Sequence, residues 1–443
     1  MRIFILGAGE VGFHIAASLV SEGHDLVVID TDPDLTQKIQ TGLDVMAVNG
    51  DGCQPHVLKA YGVENADLFF CVTDSDAVNL LAALTARDFG AKKCIVRLGD
   101  PTHGENPLLL ADPGIIPLHP ERLVAEEILG LTRVPGVSKA HFFEDRSLLL
   151  LRARPMRKAD IYRKPLRELR GPEGWILVGV ETGMRLSIPR GDTELKPGQR
   201  VYAVGRAETA TKFLKTIGVE APPVRKVVIA GAGQVGGWLA KNLVEDHVQV
   251  TVLQRESKKA LALATEVPSV LVLQGDATDT TLLKEAGAAD ADYFIAATQD
   301  DETNVISSYL AREAGARNVV SLYQRPEFVN VLRAARVDVA LSPRLITAGT
   351  ILRMVHRREI LSLDLVGSGD AEVVEFQVPD ASRVLKQPLR KLKLPKDSIV
   401  GAVTRGEERF VPGGDFSFQV GDRALIFTLT DALPALEKLF RAR

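Results

Sequence analysis

The sequence predicts an α/β protein with two doubly wound parallel-sheet domains, each followed by a small α+β module. An apolar β-rich run, a glycine turn and a helix-forming stretch occur twice. Residues 2–6 lead into Gly7-Ala8-Gly9-Glu10-Val11-Gly12, and residues 225–230 lead into Gly231-Ala232-Gly233-Gln234-Val235-Gly236. Both copies continue as apolar runs alternating with helix-forming segments over short connections, the pattern of a parallel sheet. The match also persists far beyond the glycines. Gly50-Asp51-Gly52 returns as Gly275-Asp276-Ala277, and Ala66-Asp67-Leu68-Phe69-Phe70 returns as Ala291-Asp292-Tyr293-Phe294-Ile295. Thr73-Asp74 with Asn79 returns as Thr298-Gln299 with Asn304.

In the first unit, strands are expected near 2–6, 26–30, 45–48, 68–72 and 94–98, with a short sixth near 115–117. Helices near 11–21, 34–41, 55–61 and 77–89 fall between them. Right-handed crossovers in such a sheet put the glycine turns at the carboxyl ends of the strands. A crossover with Pro120 then leads to a helical stretch at 123–132, and one with Pro343 to a stretch at 345–357. Each enters a module of a second kind, 176–205 and 399–428. There Gly183 and Gly406, then Gly198 and Gly421, sit where tight hairpin turns need positive φ. Final helices at 207–217 and 431–441 close these modules. The expected boundaries are 1–135, 136–220, 221–358 and 359–443, with Pro222-Pro223 linking the halves.

The chain has 46% hydrophobic and 25% charged residues, ordinary for a globular protein. A formal net charge of -3 gives no electrostatic case for nucleic acid or anionic lipid as partner. The 3 cysteines, Cys53, Cys71 and Cys94, form no C-x-x-C pair and fit a reducing cytosol. Cys71 and Cys94 lie in apolar runs and read as buried hydrophobes. No signal peptide is expected, and no apolar run nears the ~18 residues of a membrane helix. Residues 108–110 and 147–151 are too short.

The glycine turns carry the chemistry. Gly7 permits the tight turn off the strand, Gly9 lets a pyrophosphate approach the backbone, and Gly12 lets the helix pack on the sheet. A pyrophosphate then meets the free N–H groups and positive dipole end of the helix, past Ala8, Glu10 and Val11. Asp30 ends the second strand, close to the usual ~20 residues on, where a carboxylate accepts both ribose hydroxyls and favours NAD. In the second unit Gln254 takes that place, followed by Arg255. Gln254 can bond a ribose without charge, and Arg255 is either a phosphate contact or a solvated side chain. Asp51 and Asp276 are read either as adenine-end contacts or as caps of the next helix, beside Gly52 and Ala277. Thr73-Asp74 and Thr298 end the fourth strands at the crevice, and Arg97 ends the fifth. Glu10 stands ready to contact a ribose or a neighbouring subunit.

A dehydrogenase needs a proton donor or acceptor beside the nicotinamide. The 8 histidines form no H-E-x-x-H, no Y-x-x-x-K dyad or G-x-S-x-G elbow occurs, and no metal site is suggested. His56 and His119 read as surface or cap residues. A non-enzyme is therefore expected, with an NAD-dependent oxidoreductase as the alternative.

The order of Gly-Ala-Gly-x-Val-Gly, Asp30, Gly50-Asp51, Thr73-Asp74 with Asn79, and Arg97 resembles the Rossmann-like RCK (KTN) domains that regulate potassium transport. The modules with Gly191-Asp192 to Gly198 and Gly414-Asp415 to Gly421 resemble their small RCK-C domains. The tandem arrangement resembles the Trk potassium-uptake regulatory subunits, the TrkA family, over essentially the whole chain. That resemblance implies NAD(H) binding, with ATP or ADP as a further ligand. The nucleotide contacts it implies are Gly7–Gly12, Asp30, Asp51, Gly52, Thr73, Asp74 and Arg97, with Gly231, Ala232, Gly233, Gln234, Val235, Gln254, Arg255, Asp276, Ala277 and Thr298. It implies an integral membrane potassium-translocating partner (TrkH/TrkG-like), hence a cytoplasmic place at the inner face of the membrane. It also implies rings of eight nucleotide units, so that a homotetramer of this two-unit chain closes one ring. Gln254 departs from the pattern, and Leu98-Gly99-Asp100-Pro101 after Arg97 departs at the phosphate end.

Overall fold

In the computed structural model, the apolar runs of the first repeat become β1 (Arg2–Leu6), β2 (Asp25–Asp30), β3 (Met46–Asn49), β4 (Leu68–Cys71), β5 (Cys94–Arg97) and β6 (Ile115–Leu118). The structure describes all residues except 21–22, 106, 108–110, 144–146, 157–159, 169–173, 184, 220, 356–359, 367–370 and 442–443. Residue 21 and residues 356–357 of the expected helices, and the run 108–110, lie outside the described residues. Helices α1 (Glu10–Val20), α2 (Pro33–Gly42), α3 (Pro55–Ala60) and α4 (Asp76–Asp88) connect the strands, and α5 (Pro120–Arg133) follows them. All pairings are parallel, in the order β3-β2-β1-β4-β5-β6. Such a sheet is covered on both faces, so its strands are continuously apolar: Ile3, Phe4, Ile5, Phe69 and Phe70 are all fully buried.

The second repeat builds the same sheet. Strands β12 (Lys226–Ala230), β13 (Gln249–Gln254), β14 (Leu271–Gln274), β15 (Tyr293–Ala296), β16 (Asn318–Leu322) and β17 (Val339–Leu341) run in the order β14-β13-β12-β15-β16-β17. Their helices are α7 (Gln234–Glu245), α8 (Ser257–Glu266), α9 (Thr280–Glu285), α10 (Asp301–Ala314) and α11 (Phe328–Ala334), followed by the crossover helix α12 (Pro343–Val355).

The chain forms two compact units, each drawn from both halves: Met1–Glu126 with Arg225–Val355, and Glu127–Val224 with His356–Arg443. Within the first, α12 packs on the first repeat. Ala348, Ile351, Leu352 and Val355 share a buried cluster with Ile15, Leu19 and Ile5.

The second unit holds two antiparallel sheets of identical order. One is β10 (Arg185–Ser187), β9 (Trp175–Thr182), β11 (Arg200–Arg206), β8 (Leu148–Ala153) and β7 (Val137–Phe142). Its counterpart is β21 (Glu408–Phe410), β20 (Ser398–Arg405), β22 (Arg423–Leu429), β19 (Ala371–Gln377) and β18 (Ile360–Val366). Closing helices α6 (Ala210–Thr216) and α13 (Leu433–Phe440) lie where expected. The shared pattern at 176–205 and 399–428 falls on β9 to β11 and β20 to β22, and β7, β8, β18 and β19 precede it within the expected boundaries 136–220 and 359–443. Tyr202 and Val204 of one sheet share a core with Val373 and Phe427 of the other. The module strands therefore find their apolar partners across the duplication.

Candidate functional site

Both glycine turns lie at the point where strand order reverses, between β1 and β4 and between β12 and β15, the crevice where doubly wound sheets bind ligands. Gly7 and Gly231 have φ of 107° and 106°, values that favour glycine. A Cβ on Gly12 would lie 1.8 Å from the Gly7 carbonyl oxygen, and one on Gly236 would lie 1.9 Å from that of Gly231. These glycines are therefore demanded by the fold. At Gly9 and Gly233 a Cβ would meet nothing within 4 Å. Bare backbone there faces open space at a helix N-terminus, which fits the approach of a pyrophosphate. Ala8, Val11 and Val235 bury their side chains, so only their backbone faces the turn.

Asp30 ends β2 with both carboxylate oxygens engaged. It accepts the Ala8 N–H at 2.6 Å and the Asp32 N–H at 2.9 Å. Each oxygen keeps a lone pair, so the carboxylate is held in place yet can still accept a hydroxyl. Among the described residues the Gln254 side-chain oxygen accepts the Glu256 N–H, at 3.3 Å. Arg255 is exposed beside it, and its charge contributes to holding Asp276 below the usual carboxylate range, after the backbone and hydroxyl hydrogen bonds from Thr278.

Of the two readings of Asp51 and Asp276, the structure removes helix capping. Asp51 does not cap α3. Its carboxylate accepts the Cys53 N–H and the Gln54 amide, which lowers its pKa, while Gln54 is the uncapped N-cap residue. Asp276 likewise holds the Thr278 N–H and hydroxyl, and Asp279 caps α9. A short side chain next to its own turn bonds the residue two ahead more readily than a helix further on. Arg97 is engaged: it pairs with Asp74 at 2.5 Å and donates to the Thr73 carbonyl at 3.2 Å. Glu10 pairs with Arg344 at the start of α12, a residue of the same chain. His119 meets the Leu98 carbonyl at 3.2 Å, and His56 is exposed.

The crevice owes its shape to residues the sequence reading noticed only as repeats. Asn79 is fully buried and accepts the Thr73 N–H and hydroxyl at 3.0 and 2.7 Å. Its amide donates to the carbonyls of Thr73 and Arg97, tying the ends of β4 and β5 together. Asn304 repeats these bonds with Thr298 and Leu322. Asp76 accepts the Gly99 and Asp100 N–H groups and His103 Nδ1. Asp301 holds Gln324 and Arg325 in the same manner. The second crevice is a cavity of about 240 Å³ that brings Gly231, Gly233, Gln254, Arg255, Asp276, Ala277 and Thr298 together and adds Glu256, Lys259, Asp300 and Thr303. Lys259 and Thr303 carried no motif of their own; their signal was helical spacing after a strand tip. Cys71 and Cys94 are fully buried, and burial pushes the Cys94 thiol up to about 12.

Comparison with known proteins follows the same division. The TrkA-N domain model matches residues 3–110 and 227–343, and the TrkA-C domain model matches 373–441. The chain is 35% identical over 445 residues to a Trk system potassium uptake protein TrkA homolog of Archaeoglobus fulgidus, covering 100% of both. It is 30% identical over 452 residues to the Trk system potassium uptake protein TrkA of Halomonas elongata, covering 100% of this chain and 99% of the relative. Its fold is that of the GsuK channel solved bound to NAD, with a TM-score of 0.63 at 21% identity over 100% of this chain and 79% of that one. The chain belongs to the TrkA family.

Proposed function

We propose that this chain is the nucleotide-binding regulatory subunit of a potassium-uptake system. Its partner is an integral membrane potassium-translocating protein of the TrkH/TrkG kind, which it meets at the inner face of the membrane. The observation that carries the reading is the pair of open glycine turns, Gly9 and Gly233, at the switch points of two like sheets within one unit. Family membership over the full length supplies the transport context. Among the described residues no helix is long and apolar enough to cross a membrane, so a separate partner supplies the ion path. NAD(H) is the assigned ligand, with ATP or ADP as a competitor. Gly7, Ala8, Gly9, Glu10, Val11 and Gly12 line its diphosphate end at the first site, and Asp30 receives the ribose.

The role is non-catalytic. At the nicotinamide end of the first crevice Thr73, Asp74 and Arg97 are bonded to one another and to Asn79, which leaves them to position rather than to exchange protons. A bound nucleotide acts through its different affinity for two arrangements of the assembly.

The test uses Gly9→Asp and Gly233→Asp, which place a carboxylate where a diphosphate would approach and where no protein atom is met. Each should abolish NADH binding at its own site by calorimetry. In cells lacking their own Trk regulatory subunit, the double variant should lose nucleotide control of potassium uptake. Unaltered NADH binding in the double variant, or steady NADH oxidation with carbonyl substrates, would overturn the reading.

A further inference from the structure

The two sites differ at the ribose end in more than one residue. In the first, the loop after β2 carries Asp30, Asp32 and Asp34 and no cation. The Asp32 carboxylate caps α2, accepting the Asp34 and Leu35 N–H groups at 2.8 and 3.4 Å. The Asp30 carboxylate occupies the Ala8 N–H. The Ala8, Asp32, Asp34 and Leu35 N–H groups are thus already matched to a fixed negative charge.

In the second site each of these features is inverted. The loop reads Gln254-Arg255-Glu256-Ser257-Lys258-Lys259. Helix α8 has Glu256 at its N-cap, and that side chain makes no cap bond; it pairs instead with Lys259 at 2.8 Å. Arg255 and the Ala232 N–H make no hydrogen bond or ion pair among the described residues, and Arg255 and Lys259 line the same cavity as Gly233 and Gln254. An uncapped helix N-terminus with its positive dipole, the Arg255 guanidinium, which has no hydrogen bond or ion pair among the described residues though its charge acts on Asp276 in the same cavity, and a neutral amide at the strand tip converge where the ribose hydroxyls would lie. A guanidinium is suited to bind a phosphate by two parallel bonds.

Building on the nucleotide reading above, we infer that the second site takes a coenzyme whose adenosine ribose carries a 2′-phosphate, NADP(H), while the first takes the unphosphorylated ribose of NAD(H). Arg255 is the residue that sets this selectivity, and Asp30 is its opposite number, repelling the same phosphate. One chain then reads both coenzyme pools.

The experiment titrates the full-length chain with NADH and with NADPH by calorimetry at fixed ionic strength, for the unaltered protein, Arg255→Ala and Gly9→Asp. With the first site blocked by Gly9→Asp, NADPH should bind roughly tenfold or more tightly than NADH, the scale of one charge-assisted contact. Arg255→Ala, an exposed position, should remove that advantage and leave NADH binding at the first site unchanged. Should Gly9→Asp fail to fold, the unaltered chain still decides, because Arg255→Ala should abolish one tight NADPH phase and no NADH phase. NADH binding at both sites as tightly as NADPH overturns this inference and leaves the nucleotide reading standing, as does an equal loss of both coenzymes in Arg255→Ala. Failure of the unaltered chain to bind either coenzyme overturns both.

Discussion

Gly9 and Gly12 look alike in the motif but answer to different forces. Gly12 is required by packing, since a Cβ would collide with the Gly7 carbonyl, whereas Gly9 is free on the protein side. Gly12→Ala should therefore cost about 2–3 kcal/mol of stability through forced backbone displacement. Gly9→Ala should melt with the parent protein yet bind NADH more weakly; thermal unfolding paired with calorimetry separates the two. Asp30→Ala removes an acceptor for the Ala8 and Asp32 N–H groups as well as for the ribose, so NADH affinity should fall by roughly 1–3 kcal/mol. Unchanged affinity would show that the first site lies elsewhere. Asp76 has a pH signature. Burial raises its pKa, but the Asp100 and Gly99 N–H groups and His103 outweigh this and hold it below the usual range. A depressed carboxylate contributes stability above its unfolded pKa and loses it as pH falls through the folded value, below about pH 4. Urea midpoints measured down that range should drop less steeply for Asp76→Asn than for the parent.

Helices α4 and α10 show how an element is placed by one polar residue. Asn79 and Asn304 are buried, and each satisfies both its oxygen and its amide on two neighbouring strands. A polar residue in a helical apolar stripe reads from sequence only as an exception. Its role depends on β4 and β5 being adjacent, which is a tertiary fact. Helix α12 is the other instructive element. Its apolar residues Ile351 and Leu352 are buried against Ile15 and Leu19 of the first repeat, so a helix coded by the second half completes the first half's core. Ile351→Ala should destabilise the chain by about 2–5 kcal/mol through the cavity it leaves, read as a shift in denaturant midpoint. Arg344→Ala breaks only an exposed ion pair with Glu10 and should cost less than about 1 kcal/mol.

At the scale of the molecule, each compact unit joins a segment of the first half to its duplicate in the second. Like surfaces meeting like is the rule of closed symmetric assembly, here met within one chain. The ring of eight nucleotide units that the family resemblance implies leads us to propose four chains of 48.0 kDa in one closed assembly. Light scattering should give four times the chain mass. A stable monomer or dimer at working concentration, with no change in solution scattering on adding NADH, would remove the ring.

Periodicity and glycine spacing by themselves determined the two parallel, doubly wound sheets and the duplication, because short βα connections leave a right-handed doubly wound sheet as the favoured path for the chain, while the order of the strands came from the tertiary structure. They also singled out Asp30 and its replacement by Gln254-Arg255, since a strand tip is set by where an apolar run ends. Tertiary structure alone decided which groups are free. Asp74 engages Arg97, Arg344 engages Glu10 across most of the chain, and Arg255 is left unpaired among the described residues. It also decided that Leu150, Tyr202 and Val204 of one module share a core with Val373, Leu425 and Phe427 of its duplicate. The physical reason is the same in each case. Local propensity acts over a few residues, whereas the pairing of a charge or the covering of an apolar face depends on whichever distant segment the fold brings within contact.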